Sequence, residues 1–228
     1  MSGTTHPRLV ILDVNETLSD MSPMADALSA VGAPPGSATT WFAATLRDGF
    51  ALTAAGVNPA FVEVATDALR GVIAPHVEDR EKQEEAVESV MAAFGSLQVH
   101  PDVPDGLRDL VEAGIRLVTL GNGPSTVAEA LLERAGISDL VDSLLSVEDA
   151  PAWKPDHRAY DYALEQTGVR ADEAMLVAAH PWDVDGAARA GLRTAWVNRS
   201  GRSYPRSFRP ADVEVPTLAD LPMALTAG

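Results

Sequence analysis

Four short stretches of this sequence carry side chains suited to bond-making chemistry. In Asp13-Val14-Asn15-Glu16-Thr17-Leu18 a carboxylate, an amide and a hydroxyl fall at alternate positions. The others are Gly121-Asn122-Gly123, Ala152-Trp153-Lys154-Pro155-Asp156 and His180-Pro181-Trp182-Asp183. A carboxylate acts as a covalent nucleophile when it is ionised and held in position. A nearby ammonium favours the ionised form, and Lys154 is the candidate to do this for Asp13. His180 adds an imidazole, a side chain able to work as acid or base. The plain alternatives are an Asp13 that caps a turn, a solvated Lys154, and an Asp183 that only caps a helix.

The elements around these stretches place them together. Residues 8–13 form a short apolar run ending in a carboxylate, the pattern of a strand buried on both faces. Residues 116–120, 174–179 and 193–197 read the same way, and 140–147 is a weaker strand candidate. Helical periodicity fills roughly 103–113, 124–135, 156–168 and 183–190. Strands alternating with helices of this length indicate βαβ units, hence an α/β fold with a doubly wound parallel sheet. The chemical stretches then lie at or near strand C-termini, the rim where such a sheet binds ligands.

Residues 20–98 break the rhythm. Helix-period apolar residues run through 38–55, 59–73 and 79–94, and Gly32-Ala33-Pro34-Pro35-Gly36 punctuates the segment. An all-helical cap, 20–98, is therefore expected after the first strand, inserted into a core of 1–19 and 99–228. The tail 213–228 is expected to close the sheet and add a last short helix.

Composition narrows the function classes. The 228 residues hold 33 acidic and 17 basic side chains, a formal charge of −16, which disfavours a nucleic-acid partner. There is no cysteine, so thiolate nucleophiles, thiolate metal sites and disulfides are excluded. No apolar run is long enough for a membrane span and no signal peptide is evident, so a cytoplasmic protein without a membrane partner is expected. The acidic run Glu78 to Glu88 reads as a solvated helix face.

Three motifs carry a resemblance over nearly the whole chain: Asp13-x-x-x-Thr17-Leu18, Lys154-Pro155-Asp156, and Trp182-Asp183-x-x-Gly186-Ala187-x-x-Ala190-Gly191. With them the sequence resembles the haloacid dehalogenase superfamily. Asn122-Gly123, Tyr160, Trp182-Asp183 and Trp196-Val197-Asn198-Arg199 are similar to the L-2-haloacid dehalogenase branch. The resemblance implies a metal-independent, cofactor-free hydrolase acting on small anionic 2-haloacids, and a homodimer. It implies that Asp13 attacks the halogen-bearing carbon and that water activated by Asp183 hydrolyses the resulting ester. Thr17 and Lys154 complete the implied catalytic set. Arg47, Asn15, Asn122, Tyr160, His180 and Trp182 are the implied substrate- and halide-binding residues, with Trp41, Phe42 and Phe50 as candidate pocket walls.

Phosphatases of this superfamily carry an aspartate where this chain has Asn15, and a Mg²⁺-binding aspartate where it has Ala179. An amide has no proton to give a leaving alcohol, and a hard cation would lose a ligand. Both favour the dehalogenase over a Mg²⁺-dependent phosphate-ester hydrolase. The chain also departs from the dehalogenase pattern. Gly121 stands where a Ser or Thr is usual, Ala178 where a serine is, His180 for asparagine and Asn15 for tyrosine. These departures keep a third expectation open, a ligand-binding homologue with little or no turnover.

Overall fold

A computed structural model of the chain describes residues 6–226. Six parallel strands form one sheet: β1 (Leu9–Leu12), β2 (Arg116–Gly121), β3 (Ser143–Ser146), β4 (Ala174–Ala178), β5 (Arg193–Val197) and β6 (Val213–Val215). Their order is β3-β2-β1-β4-β5-β6, the doubly wound arrangement in which the strand order reverses beside β1. The register sets Leu12 of β1 opposite Thr119 of β2 and Val177 of β4. The residues just past these positions therefore meet at one edge.

Alternation along β1 explains the two apolar layers. Leu9 and Ile11 join one buried cluster, with Leu176, Trp196 and the inner faces of the helices before residue 98. Val10 and Leu12 join the other, with Val103, Leu107, Leu131 and Val197. All four β1 side chains are fully buried. This is why the strand reads as a continuous apolar run rather than an alternating one.

Five helices separate β1 from β2, and the first four lie before residue 98: α1 (Pro23–Ala30), α2 (Ser37–Ala54), α3 (Phe61–Ile73) and α4 (Arg80–Gly95). The chain leaves and returns through one paired crossing, where Asp20 N–H donates to Gln98 O and His100 N–H to Leu18 O, both at 2.8 Å. The remaining helices are α5 (Val103–Glu112), α6 (Ser125–Ala135), α7 (His157–Thr167), α8 (Pro181–Arg189) and α9 (Leu221–Thr226).

The helical block is fastened to the sheet beside Lys154. Trp153 is fully buried, stacks on Phe61 at 5.6 Å, and donates its indole N–H to Pro59 O at 2.9 Å. A Cβ on Gly49 of α2 would overlap the Trp153 ring, so only glycine permits this approach. The Asn58 amide donates to Val147 O and Ala150 O, at 3.0 and 2.8 Å.

Each expected strand forms within a few residues of its sequence bounds, including the weak candidate at 140–147. Helix α1 adds to the expected elements. It is only 8 residues long, and just Met24 and Leu28 are buried on it, a single i,i+4 pair too brief to stand out as periodicity. The acidic run lies on α4 and its approach, mostly exposed, while Ala86, Val87 and Val90 face inward. Asp79 caps this helix, accepting from Glu81 N–H and Lys82 N–H.

Candidate active site

Three ionisable side chains, two from loops and one from a helix start, meet at the strand-order reversal. Asp13 follows β1, Asp183 lies in the first turn of α8 after β4, and Lys154 sits in the loop leading to α7. The Lys154 ammonium donates to Asp13 Oδ1 at 2.8 Å and to Asp183 Oδ2 at 2.6 Å. All three are buried, Lys154 and Asp183 completely. A buried charge is costly unless paired and hydrogen-bonded, and each is both.

The remaining lone pairs are taken up in turn. Thr17 Oγ1 donates to Asp13 Oδ2 at 2.6 Å and accepts from Ala179 N–H at 2.9 Å. The Tyr160 hydroxyl donates to Asp183 Oδ1 at 2.6 Å. Asn122 clamps the Lys154 backbone from both ends of its amide, accepting from the N–H at 3.0 Å and donating to the C=O at 3.4 Å. Gly186 lets α8 come close here. A Cβ there would lie 2.5 Å from the Tyr160 oxygen and 2.6 Å from Pro155 Cβ, which explains the glycine four residues before Ala190.

The two carboxylates are pushed apart. Burial alone would raise Asp13, but the Lys154 charge, the His180 imidazole and the hydrogen bonds from Lys154 and Thr17 outweigh it and hold Asp13 below its ordinary 3.8. Burial dominates at Asp183, and with the Asp13 charge it raises that carboxyl above 3.8 despite Lys154. Burial opposes the charge on Lys154, but the two carboxylates prevail and raise it above 10.5. Burial, then the Asp183 charge, lifts Tyr160 well above 10.0, so its hydroxyl stays a donor. The site therefore holds an ionised carboxylate beside a second, more basic one, the division of labour expected of a nucleophile and a base.

His180 closes one side. Its Nε2 lies 3.1 Å from Asn15 O, 3.5 Å from Glu16 Oε2 and 3.8 Å from Asp13 Oδ2. Three oxygens facing one nitrogen require that nitrogen to carry the proton. The ring stacks on Trp182 at 5.0 Å and lies 6.1 Å from Phe42 of α2, while Phe50 meets Trp182 edge-on at 5.0 Å. Trp41 packs internally instead, donating to Ala65 O and meeting Phe94 edge-on.

Arg47 is not brought to this site. Its side chain is 71% exposed and pairs with Asp48 at 2.7 Å. The buried face of α2 carries Trp41, Phe42, Thr45 and Gly49. Residue 47 is two past Thr45, about 200° around the helix, and so points to solvent. Phe42 is the α2 side chain that faces His180.

Two contributors were not assigned from the sequence. Arg199 donates to Thr17 O at 2.8 Å and to Asp102 Oδ1 at 2.7 Å, tying the Asp13 loop to the start of α5. Glu16 stands at φ 60, a left-handed conformation uncommon for a residue with a side chain, in the loop that presents Asp13. Arg199 ends the Trp196-Val197-Asn198-Arg199 motif, but its partners lie 97 and 182 positions away, and Glu16 fills an unspecified position of the Asp13 motif, so neither role could be read from the motif alone. A cavity of about 210 Å³ opens beside the same loop, between Asn15 and Gly121 on the sheet side and Phe61 and Phe94 above.

Fold and site together describe a doubly wound α/β protein with a carboxylate–ammonium–carboxylate centre at its strand-order reversal. Residues 7–191 match the family model for haloacid dehalogenase-like hydrolases, and the chain belongs to that family. It is 33% identical over 159 residues to (S)-2-haloacid dehalogenase 4A of Burkholderia cepacia, covering 70% of this chain and 66% of that one. It is 35% identical over 126 residues to the (S)-2-haloacid dehalogenase of Pseudomonas sp. strain YL, covering 55% and 54%. The matched part thus spans between about half and two thirds of these relatives. A crystal structure of an L-2-haloacid dehalogenase superposes with a TM-score of 0.90 at 26% identity, over 97% of this chain and 100% of that one.

Proposed function

We propose that this chain hydrolyses the carbon–halogen bond of 2-haloacids through an ester on Asp13, without a metal. The observation that carries the reading is the buried Asp13–Lys154–Asp183 centre, with one carboxylate held ionised and the other made more basic. An Asp13 oxygen attacks the halogen-bearing carbon, and the electron pair of the breaking carbon–halogen bond leaves with the halide. Water, losing a proton to Asp183, then adds to the ester carbonyl carbon. The alcohol oxygen departs and takes up a proton, giving the 2-hydroxyacid and free Asp13. Halide needs no proton to leave, so Asn15 in place of a second acid is no handicap. Ala179 offers a metal no side-chain oxygen, and among the described residues no three His, Asp or Glu side chains form a metal-holding group.

Halide release across a panel of 2-haloacids, with and without chelator, tests this. Release that survives chelation supports it. No release, together with Mg²⁺-dependent hydrolysis of phosphate esters, rejects it. Asp183→Asn is expected to stop turnover after one event, because alkylation of Asp13 does not need the base. Intact-protein mass spectrometry should then show the ester accumulating, and an unmodified, inactive variant contradicts the assignment. Arg47→Ala, at an exposed position, should change kcat/KM by less than about twofold, and a loss above tenfold would return Arg47 to the site.

The same reading takes residues 20–98 as a cap domain over a core of 1–19 and 99–228. It also takes the protein as cytoplasmic and, as the resemblance implies, a homodimer; light scattering of the purified protein tests the dimer. No helix among the described residues is long and apolar enough to cross a membrane.

A further inference from the structure

The cavity beside the nucleophile loop is larger and more apolar than a two- or three-carbon acid requires. At about 210 Å³ it exceeds the ~150 Å³ of an apolar cavity known to take up benzene. It starts at Val14 and Asn15, the residues directly after Asp13, and at Gly121, which extends β2 next to them. It lies between α4 and α6, walled by Phe61, Met91, Phe94 and Val127, and Lys154 does not line it. The wall is short of charge, since no Lys, Arg, Asp or Glu lines it. Gly121 and Gly123 leave it open. A Cβ on Gly123 would come within 3.6 Å of the Phe61 ring, so any longer side chain there would take up cavity space. Arg47, the second cation expected around a small anion, faces solvent.

We infer that the substrate is a 2-haloacid whose remaining substituent is bulky and apolar, an aryl-alkyl or medium-length alkyl group seated in this cavity. The inference rests on the reading of Asp13 as nucleophile toward a 2-haloacid. Asp13 does not itself line the cavity but directly precedes Val14 and Asn15, which do, so an acid with C2 at Asp13 would pass its substituent beyond them and out of water. Each methylene so buried gains about fourfold in binding. A substituent of benzyl or hexyl size fits the space, and a methyl group leaves most of it empty.

The test compares 2-bromopropanoate with 2-bromooctanoate and 2-bromo-3-phenylpropanoate on the wild type and on two cavity-filling variants. Val127→Phe narrows the α6 wall and Met91→Trp the α4 wall, so misfolding of one leaves the other to decide. Both side chains are partly exposed in the wild type. The wild type should favour the bulky acids by about 10- to 100-fold in kcat/KM, mainly through KM. The variants should lose that preference while 2-bromopropanoate changes less than about threefold. A flat KM across the series overturns the inference, as does a preference that both folded variants retain.

Binding of halogen-free 3-phenylpropanoate, read by calorimetry, separates this inference from the parent reading. Binding that Val127→Phe abolishes, with no halide released from any acid, keeps the apolar-substituent assignment and sinks the dehalogenase reading. Halide release from 2-bromopropanoate without binding of the phenyl acid does the reverse.

Discussion

Replacing Asp13 with asparagine is expected to abolish halide release, by about 10⁵-fold or more. The amide keeps the shape of the carboxylate and one oxygen that can still accept from Lys154, puts an NH2 where Thr17 now donates, and removes the anion that must attack carbon. The loss should therefore appear in kcat, with the fold intact by circular dichroism. Because Asp13 is held below 3.8, its carboxylate stays ionised across the physiological range. The acid limb of the pH–rate profile is then set by Asp183, whose carboxyl is raised above 3.8 and must be unprotonated to take a proton from water. A single turnover with excess enzyme in ¹⁸O-water should place the label in the Asp13 carboxylate. Label appearing directly in the hydroxyacid, or an asparagine variant retaining more than about one percent of the rate, would exclude the ester route.

The second large effect is on stability. Lys154→Met keeps the length and bulk of the side chain but leaves two buried carboxylates, Asp13 and Asp183, without a cation. Removing one partner from a buried ion pair costs roughly 3–5 kcal/mol. The cost should depend on pH, and its sign follows from linkage. In the wild type Asp13 is depressed, so its contribution is present above its unfolded value near 3.8 and lost as pH falls through the lower folded value. Lys154 is raised, so its contribution is present below 10.5 and lost as pH rises through the higher folded value. In the variant, burial and mutual repulsion push the carboxylates above their unfolded values. They then bind protons more tightly folded than unfolded, and stability falls as pH rises past about 4. Urea denaturation should accordingly show a larger deficit at about pH 8 than at about pH 4. A deficit below about 1 kcal/mol, or one unchanged with pH, would mean that the ammonium does not compensate these carboxylates.

Much of this arrangement is legible in one dimension. Leu9 to Asp13 and Arg116 to Leu120 announce buried strands because both faces are covered and no polar alternation survives. Once strands and helices alternate, the rim position of Asp13 follows from the topology, and the ammonium and second carboxylate fall near the same rim. The helices between residues 20 and 98 are legible because α3 and α4 carry several buried apolar residues at helical spacing and α2 carries Trp41 and Phe42. Arg47 shows where this stops. Its helix and its proximity to Trp41 were readable, but the phase of the helix against the sheet was not, and a rotation of about 200° separates a pocket arginine from a solvated one.

The residue types alone determined the class of chemistry: no thiol, a strand-end aspartate, a lysine before a helix, and a fold that gathers strand ends. Tertiary structure decided the allocation of roles. It set Asn122 to clamp the Lys154 backbone and Tyr160 to bond Asp183, left Arg47 in solvent, and put Phe42 against His180. It also opened an apolar cavity between two glycines, Gly121 and Gly123, and the helices α3 and α4. The physical reason is one of range. Propensity and periodicity act over a turn or a few strand residues, whereas pKa shifts, hydrogen-bond saturation and cavity shape are set by groups far apart in the chain, 141 positions for Asp13 and Lys154 and 182 for Thr17 and Arg199.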